Sequence, residues 1–140
     1  GFDLTNSAEI MQIMWEKWVF LCSIASMNCL FRGNVGSIVS ATEDAAGLML
    51  RMVDECTAVA TAAGYTPRPP ADARARQQLS DPKGQWMASM LRDLQKGGAV
   101  EADHVVGDML ARAKSFGTPH TLLAVAYTHL KVYEAARAKG

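Results

Sequence analysis

Apolar positions are densest between Ile10 and Phe31. Steps of three and four residues, the spacing that stays on one side of a helix, link Ile10, Met14, Lys17, Leu21 and Ile24. Four of these five belong in a core, and the exception is Lys17. An ammonium on such a stripe must be paired, must snorkel outward between neighbours such as Trp15 and Trp18, or must sit in a cleft. The stretch from Trp18 to Phe31 carries no charge. It is shorter than the ~20 apolar residues that span a bilayer, and it includes Ser23, Ser26 and Asn28. A buried core helix is the expectation.

Helical spacing continues along the chain, and no segment shows the period-two alternation of a half-buried strand. Asn6 and Glu9 form a candidate capping box for a first helix reaching Phe31. Gly33-Asn34-Val35-Gly36 breaks it, and a short helical turn is expected over Ser37–Ser40. Thr42 is the expected N-cap of a second long helix, Glu43 to Ala63, with Gly64 closing it. Its core face is Ala46, Met49, Leu50, Val53, Cys56 and Ala60. Thr66-Pro67-Arg68-Pro69-Pro70 is a stiff connector into a short, polar and peripheral helix over Ala71–Leu79. Further helices are expected over Gln85–Lys96, stopped by Gly97-Gly98, and over Ala102–Phe116, stopped by Gly117. A last one is expected from Thr118 as cap and Pro119 at its first position to Ala138. The fold class is all-α, a helical bundle forming one domain over residues 1–140.

Fourteen basic and fourteen acidic residues cancel, so no electrostatic footprint for nucleic acid or an anionic membrane is present. Cys22, Cys29 and Cys56 are odd in number and read as small buried thiols in a reducing compartment rather than as a disulfide or metal set. His104, His120 and His129 lack metal-ligand spacing. A cytoplasmic location is expected, with no secretion leader at the N-terminal residues beginning with Gly1. There is no phosphate loop after a strand and no nucleophile elbow. By themselves, composition and periodicity describe a helical domain without complete catalytic machinery.

Two segments add to this. Ser89-Met90-Leu91-Arg92-Asp93-Leu94 is followed, across Gly97-Gly98, by Val100-Glu101-Ala102-Asp103 and then Gly107. Together with Trp15-Glu16-Lys17 on a long apolar helix, Glu55 and Gly64 on the second helix, and Thr118-Pro119, this order resembles the C-terminal domain of the ketopantoate reductase (2-dehydropantoate 2-reductase) family. The resemblance covers the whole chain. It implies a two-domain enzyme of pantothenate biosynthesis type, whose N-terminal Rossmann domain, not part of these 140 residues, binds NADPH. It implies a 2-oxo acid as substrate, reduced to a 2-hydroxy acid, and homodimerisation as a further partnership. Lys17 matches the catalytic lysine that protonates the keto oxygen, Ser89 a serine that binds the substrate carboxylate, and Glu101 a glutamate at the cofactor boundary. The 140-residue chain alone is expected to be inactive.

The chain also departs from that pattern. Leu21 and Ala25, four and eight residues after the lysine, stand where the family keeps substrate-binding asparagines, and Val35 replaces a third. Loss of that polar cradle implies a more apolar pocket and a different 2-oxo acid or ketone. Two other readings of the chain remain: a helical dimerisation or interaction module without catalysis of its own, and a degenerate reductase homologue that binds ligand without turnover.

Overall fold

A computed structural model describes residues 4–140. The described residues form seven α-helices and no strand: α1 (Leu4–Phe31), α2 (Val35–Val39), α3 (Ala45–Ala62), α4 (Pro69–Leu79), α5 (Ser89–Gln95), α6 (Asp108–Phe116) and α7 (Thr121–Lys139). A π-helical turn, Asp103–Gly107, leads into α6.

α1 is about 42 Å long at 1.5 Å per residue, and its two halves meet different surroundings. Every residue from Cys22 to Cys29 is buried, because α3, α5 and α7 pack around that half. The buried hydroxyl of Ser23 is satisfied by its own helix, donating to the Val19 carbonyl at 2.7 Å. In the first half only one side is covered, through Trp15 and Val19. The expected core stripe is therefore turned the other way: Ile10, Met14 and Leu21 are 45%, 58% and 42% exposed, and Lys17 is exposed with them. A helix apolar all round carries no direction in its pattern, so periodicity alone does not choose the buried side.

Several boundaries also move. α1 is already helical at Leu4, so Asn6 lies within its first turn rather than in front of it, and Glu9 pairs with Arg68. α2 starts at Val35, capped by Asn34, whose Oδ1 accepts from the Ser37 amide at 2.9 Å. α3 starts at Ala45, with Asp44 and not Thr42 at its N-cap, and Gly64 beyond its end adopts φ +96° as expected. Of its core face, Met49, Val53, Cys56 and Ala60 are buried while Ala46 and Leu50 are half-buried.

The largest local difference concerns residues 85–88, which read as helix but run extended as a strap into α5. Its backbone is pinned to the start of α2: the Gly36 amide donates to the Gly84 carbonyl at 2.7 Å, and the Val35 amide to the Trp86 carbonyl at 3.2 Å. That approach requires glycine at position 36, where a Cβ would sit 2.8 Å from the carbonyl oxygens of both Gly84 and Pro82.

α7 begins at Thr121, and no side chain of its own caps it. Glu55 of α3 does so instead. Its carboxylate, 5% exposed, accepts from the Leu122 amide at 3.0 Å and the Leu123 amide at 2.9 Å. A buried anion at a helix N-terminus is stabilised by those amides and by the helix dipole, and it ties α3 to α7 across the core.

Candidate functional site

The strap and the exposed side of α1 enclose a cleft of about 290 Å³. Ile24, Ala25 and Met90, each nearly buried, form its floor. Phe20, Leu21 and Trp86 form its walls, with Ser89 and Val105 at the edges. Phe20 and Trp86 meet edge to face, with ring centroids 5.5 Å apart and planes at 82°. Ser89 opens α5, and its hydroxyl makes no hydrogen bond with any described residue.

Lys17 stands one helical turn before Leu21 and two before Ala25, on the same stripe of α1. It lines an adjoining groove of about 280 Å³ between α1 and α4, and Phe20 is the wall common to both. Lys17 forms no ion pair or hydrogen bond with a described residue. It does not lie between the two tryptophans. Trp15 and Trp18 pack on each other, centroids 4.9 Å apart, and the Arg112 guanidinium of α6 lies 5.6 Å from each ring.

The acid next to Lys17 is already committed. Glu16 accepts from the Arg68 backbone amide, Nε and Nη2 at 2.8, 2.9 and 2.8 Å. These bonds hold its carboxyl down at about 2, from an ordinary 4.5. A carboxyl lowered on folding adds stability above its unfolded-state value and loses it as pH falls through the folded one. Thermal melts should therefore show wild type more stable than Glu16→Gln near neutrality, with the difference closing between pH 4.5 and about 2. A difference independent of pH across that window would contradict the assignment.

Asn28 holds the cleft's geometry. Fully buried, it donates through Nδ2 to the Gly33 carbonyl at 2.9 Å and accepts through Oδ1 from the Ala88 amide at 2.7 Å. One side chain so joins the end of α1 to the residue before Ser89. In the sequence Asn28 stands out only as a polar residue, with Ser23 and Ser26, in the uncharged stretch from Trp18 to Phe31. A buried amide in an apolar helix, however, signals an obligatory partner. Asn28→Leu should cost about 2–3 kcal/mol by leaving two backbone groups unpaired, measured by urea denaturation.

Glu101 is not among the residues lining either groove. Its carboxylate is 80% exposed and lies 3.9 Å from His104 Nε2, one turn before Val105. The Val105 carbonyl accepts from Trp18 Nε1 at 3.0 Å, which docks the π turn on α1. Asp103 accepts from the Tyr127 hydroxyl and from Lys131, and these bonds lower its pKa. Gly107 leaves room for the Tyr127 ring, which a Cβ would meet at 2.8 Å. Asp103 and Gly107 thus seat the π turn against α7.

All three cysteines are buried free thiols. Contact with Cys56, together with burial, pushes the Cys22 thiol well up, and burial pushes Cys29 up to about 12. Among the described residues no cluster of His, Cys, Asp or Glu could hold a metal, and no helix is long and apolar enough to cross a membrane.

Comparison with known proteins agrees with this architecture. The chain is 27% identical over 135 residues to an uncharacterized oxidoreductase, YkpB, of Bacillus subtilis (strain 168), covering 96% of the chain and 44% of that protein. It spans less than half the length of that curated relative. Among solved structures it superposes on the dimeric ketopantoate reductase of Staphylococcus aureus with a TM-score of 0.79 at 20% identity, covering 91% of this chain and 44% of that one. A PanE/ApbA family ketopantoate reductase of Ralstonia eutropha JMP134 superposes at 0.77 and 22% identity, covering 89% and 41%. A D-mandelate dehydrogenase solved with NADH and anilino(oxo)acetate superposes at 0.76 and 17%, covering 92% and 54%. At these identities the structural likenesses establish the fold. The family described as "Ketopantoate reductase PanE/ApbA C terminal" matches residues 9–134, and the chain belongs to that oxidoreductase family through its all-α C-terminal part.

Proposed function

We propose that this chain is the C-terminal substrate-binding and catalytic domain of an NADPH-dependent reductase that converts a 2-oxo acid to a 2-hydroxy acid. One observation carries the reading: the Lys17 stripe continues through Leu21 and Ala25 into the cleft that Ser89 also lines. Two residues from distant parts of the sequence pattern, Lys17 and Ser89, thereby flank adjoining grooves that share Phe20 as a wall.

The cofactor's bulk finds no seat among the described residues, which contain no strand and no glycine-rich phosphate loop after one. It is assigned to an N-terminal Rossmann domain of the longer protein. Glu101, with an exposed carboxylate facing only a distant histidine, suits a hydroxyl-bearing part of the dinucleotide. When bound, the reduced nicotinamide supplies the hydride that reaches the keto carbon.

This chain's residues handle the rest. Negative charge grows on the keto oxygen, and Lys17, a mobile and unpaired cation on a four-carbon stem, offsets it and gives up a proton to it. The Ser89 hydroxyl donates to the substrate carboxylate at the opposite edge. Three buried free thiols fit a reducing, cytoplasmic setting.

The exposed apolar residues at the start of α1 (Ile10, Met11, Ile13 and Met14, 39–58% exposed) favour a contact with the rest of the protein or with a second copy. This complements the enzymatic role. The full-length protein, supplied with NADPH and a panel of 2-oxo acids, should consume cofactor with at least one of them. Ligand binding with no cofactor oxidation by any of them would instead support a degenerate, non-catalytic homologue.

A further inference from the structure

The cleft's walls specify what kind of substrate side chain it receives. No charged residue lines it, and Ser89 contributes its one side-chain hydroxyl. Leu21 and Ala25 offer no hydrogen bond, so a hydroxylated substrate arm entering here would lose its water without replacement. Building on the reductase reading above, we propose that the physiological substrate is an aryl-substituted 2-oxo acid, with its ring held between Trp86, Phe20 and Leu21.

The preference for a ring over an aliphatic chain comes from the lining. Phe20 and Trp86 already form an edge-to-face pair at 5.5 Å, offering both an edge and a face to a third ring. Met87 and Met90 bring two thioethers to the same space, and sulfur packs well at ring edges. Trp86 is 49% exposed and Leu21 42% exposed, whereas the floor beneath them is buried. An incoming ring would cover those two side chains. An apolar cavity of ~150 Å³ is enough to take up benzene, so about 290 Å³ admits a ring, with the oxo-acid head group directed past Phe20 toward Lys17 in the adjoining groove. The indole is also held ready. Its strap is fixed by the bond from the Val35 amide to the Trp86 carbonyl and by Asn28 on Ala88, so less ordering remains to be lost on binding.

Trp86 is then a specificity-determining residue, and Leu21 its partner. The test is steady-state kinetics of the full-length protein, with phenylglyoxylate, 2-dehydropantoate and pyruvate compared under one cofactor condition. Phenylglyoxylate should have the highest kcat/KM, by roughly tenfold or more, given what hydrophobic pockets discriminate. Trp86→Ala should lower the ratio of kcat/KM for phenylglyoxylate over pyruvate by roughly 10- to 100-fold, mainly through KM, and Trp86→Phe should restore most of it. Leu21→Asn should move preference toward 2-dehydropantoate. Circular dichroism melts of each variant keep misfolding apart from lost specificity. Turnover that favours 2-dehydropantoate or pyruvate in the wild type, or a ratio indifferent to Trp86→Ala, overturns the aryl assignment and leaves the reductase reading standing. No turnover of any 2-oxo acid overturns both.

Discussion

Lys17→Ala in the full-length protein should lower kcat by roughly 10²–10⁴-fold, the range associated with losing a positioned proton donor. KM for the 2-oxo acid should change far less, because the lysine is asked to act on charge that develops only as the carbonyl is reduced. The folded state should barely notice. Lys17 is exposed and holds no ion pair or hydrogen bond with a described residue, and surface substitutions of that kind stay within about 0.5 kcal/mol. Activity would thus fall with no matching fall in melting temperature. Lys17→Arg separates two roles of the cation: a guanidinium offsets negative charge but does not release a proton. It should recover only a small part of the lost rate. Turnover of Lys17→Ala within twofold of wild type would remove Lys17 from the mechanism.

Replacing Glu55 should cost as much stability as replacing Asn28. Glu55→Ala leaves two amides at the start of α7 without partners, that of Leu122 half-buried and that of Leu123 buried. Two charge-assisted bonds and a dipole contact are lost together, for about 2–3 kcal/mol. Glu55→Gln keeps one acceptor oxygen and turns an N–H toward the other amide, so it should cost less, about 1–2 kcal/mol. Urea unfolding at constant slope measures both. Losses below about 0.5 kcal/mol for the alanine variant would mean that the start of α7 is satisfied some other way. In the sequence, Thr118 and Pro119 stand where a local cap belongs. A carboxylate from 66 positions earlier than Thr121 does the work because α3 and α7 pack side by side.

The contrast between α1 and the strap shows how far local pattern reaches. Helices that end at glycine were legible: Gly64, Gly97 and Gly117 all adopt the positive φ that favours this residue at a helix stop. Gln85–Ala88 was not. Nothing in those four side chains forbids a helix, yet their backbone is claimed by α2, where Gly36 permits a contact that any Cβ would block. Long-range hydrogen bonds outweighed local propensity. Trp86 therefore stands in the cleft wall instead of on a helix surface, and the sequence carried no sign of it.

The sequence by itself determined the all-α class, most helix stops and the family, and its resemblance to that family nominated Lys17, Ser89 and Glu101 as candidates. These follow from short-range periodicity, turn chemistry and ordered motifs, all of which are written locally. Tertiary structure alone decided which side of α1 is buried, that Arg112 and not Lys17 meets the tryptophans, and that Asn28 and Glu55 tie distant segments together. It also separated Glu101 from the cleft that Leu21, Ala25 and Ser89 share. The physical reason is the same in each case. An apolar helix has no preferred face until neighbours cover it, and a buried polar group has no partner until the chain returns to supply one.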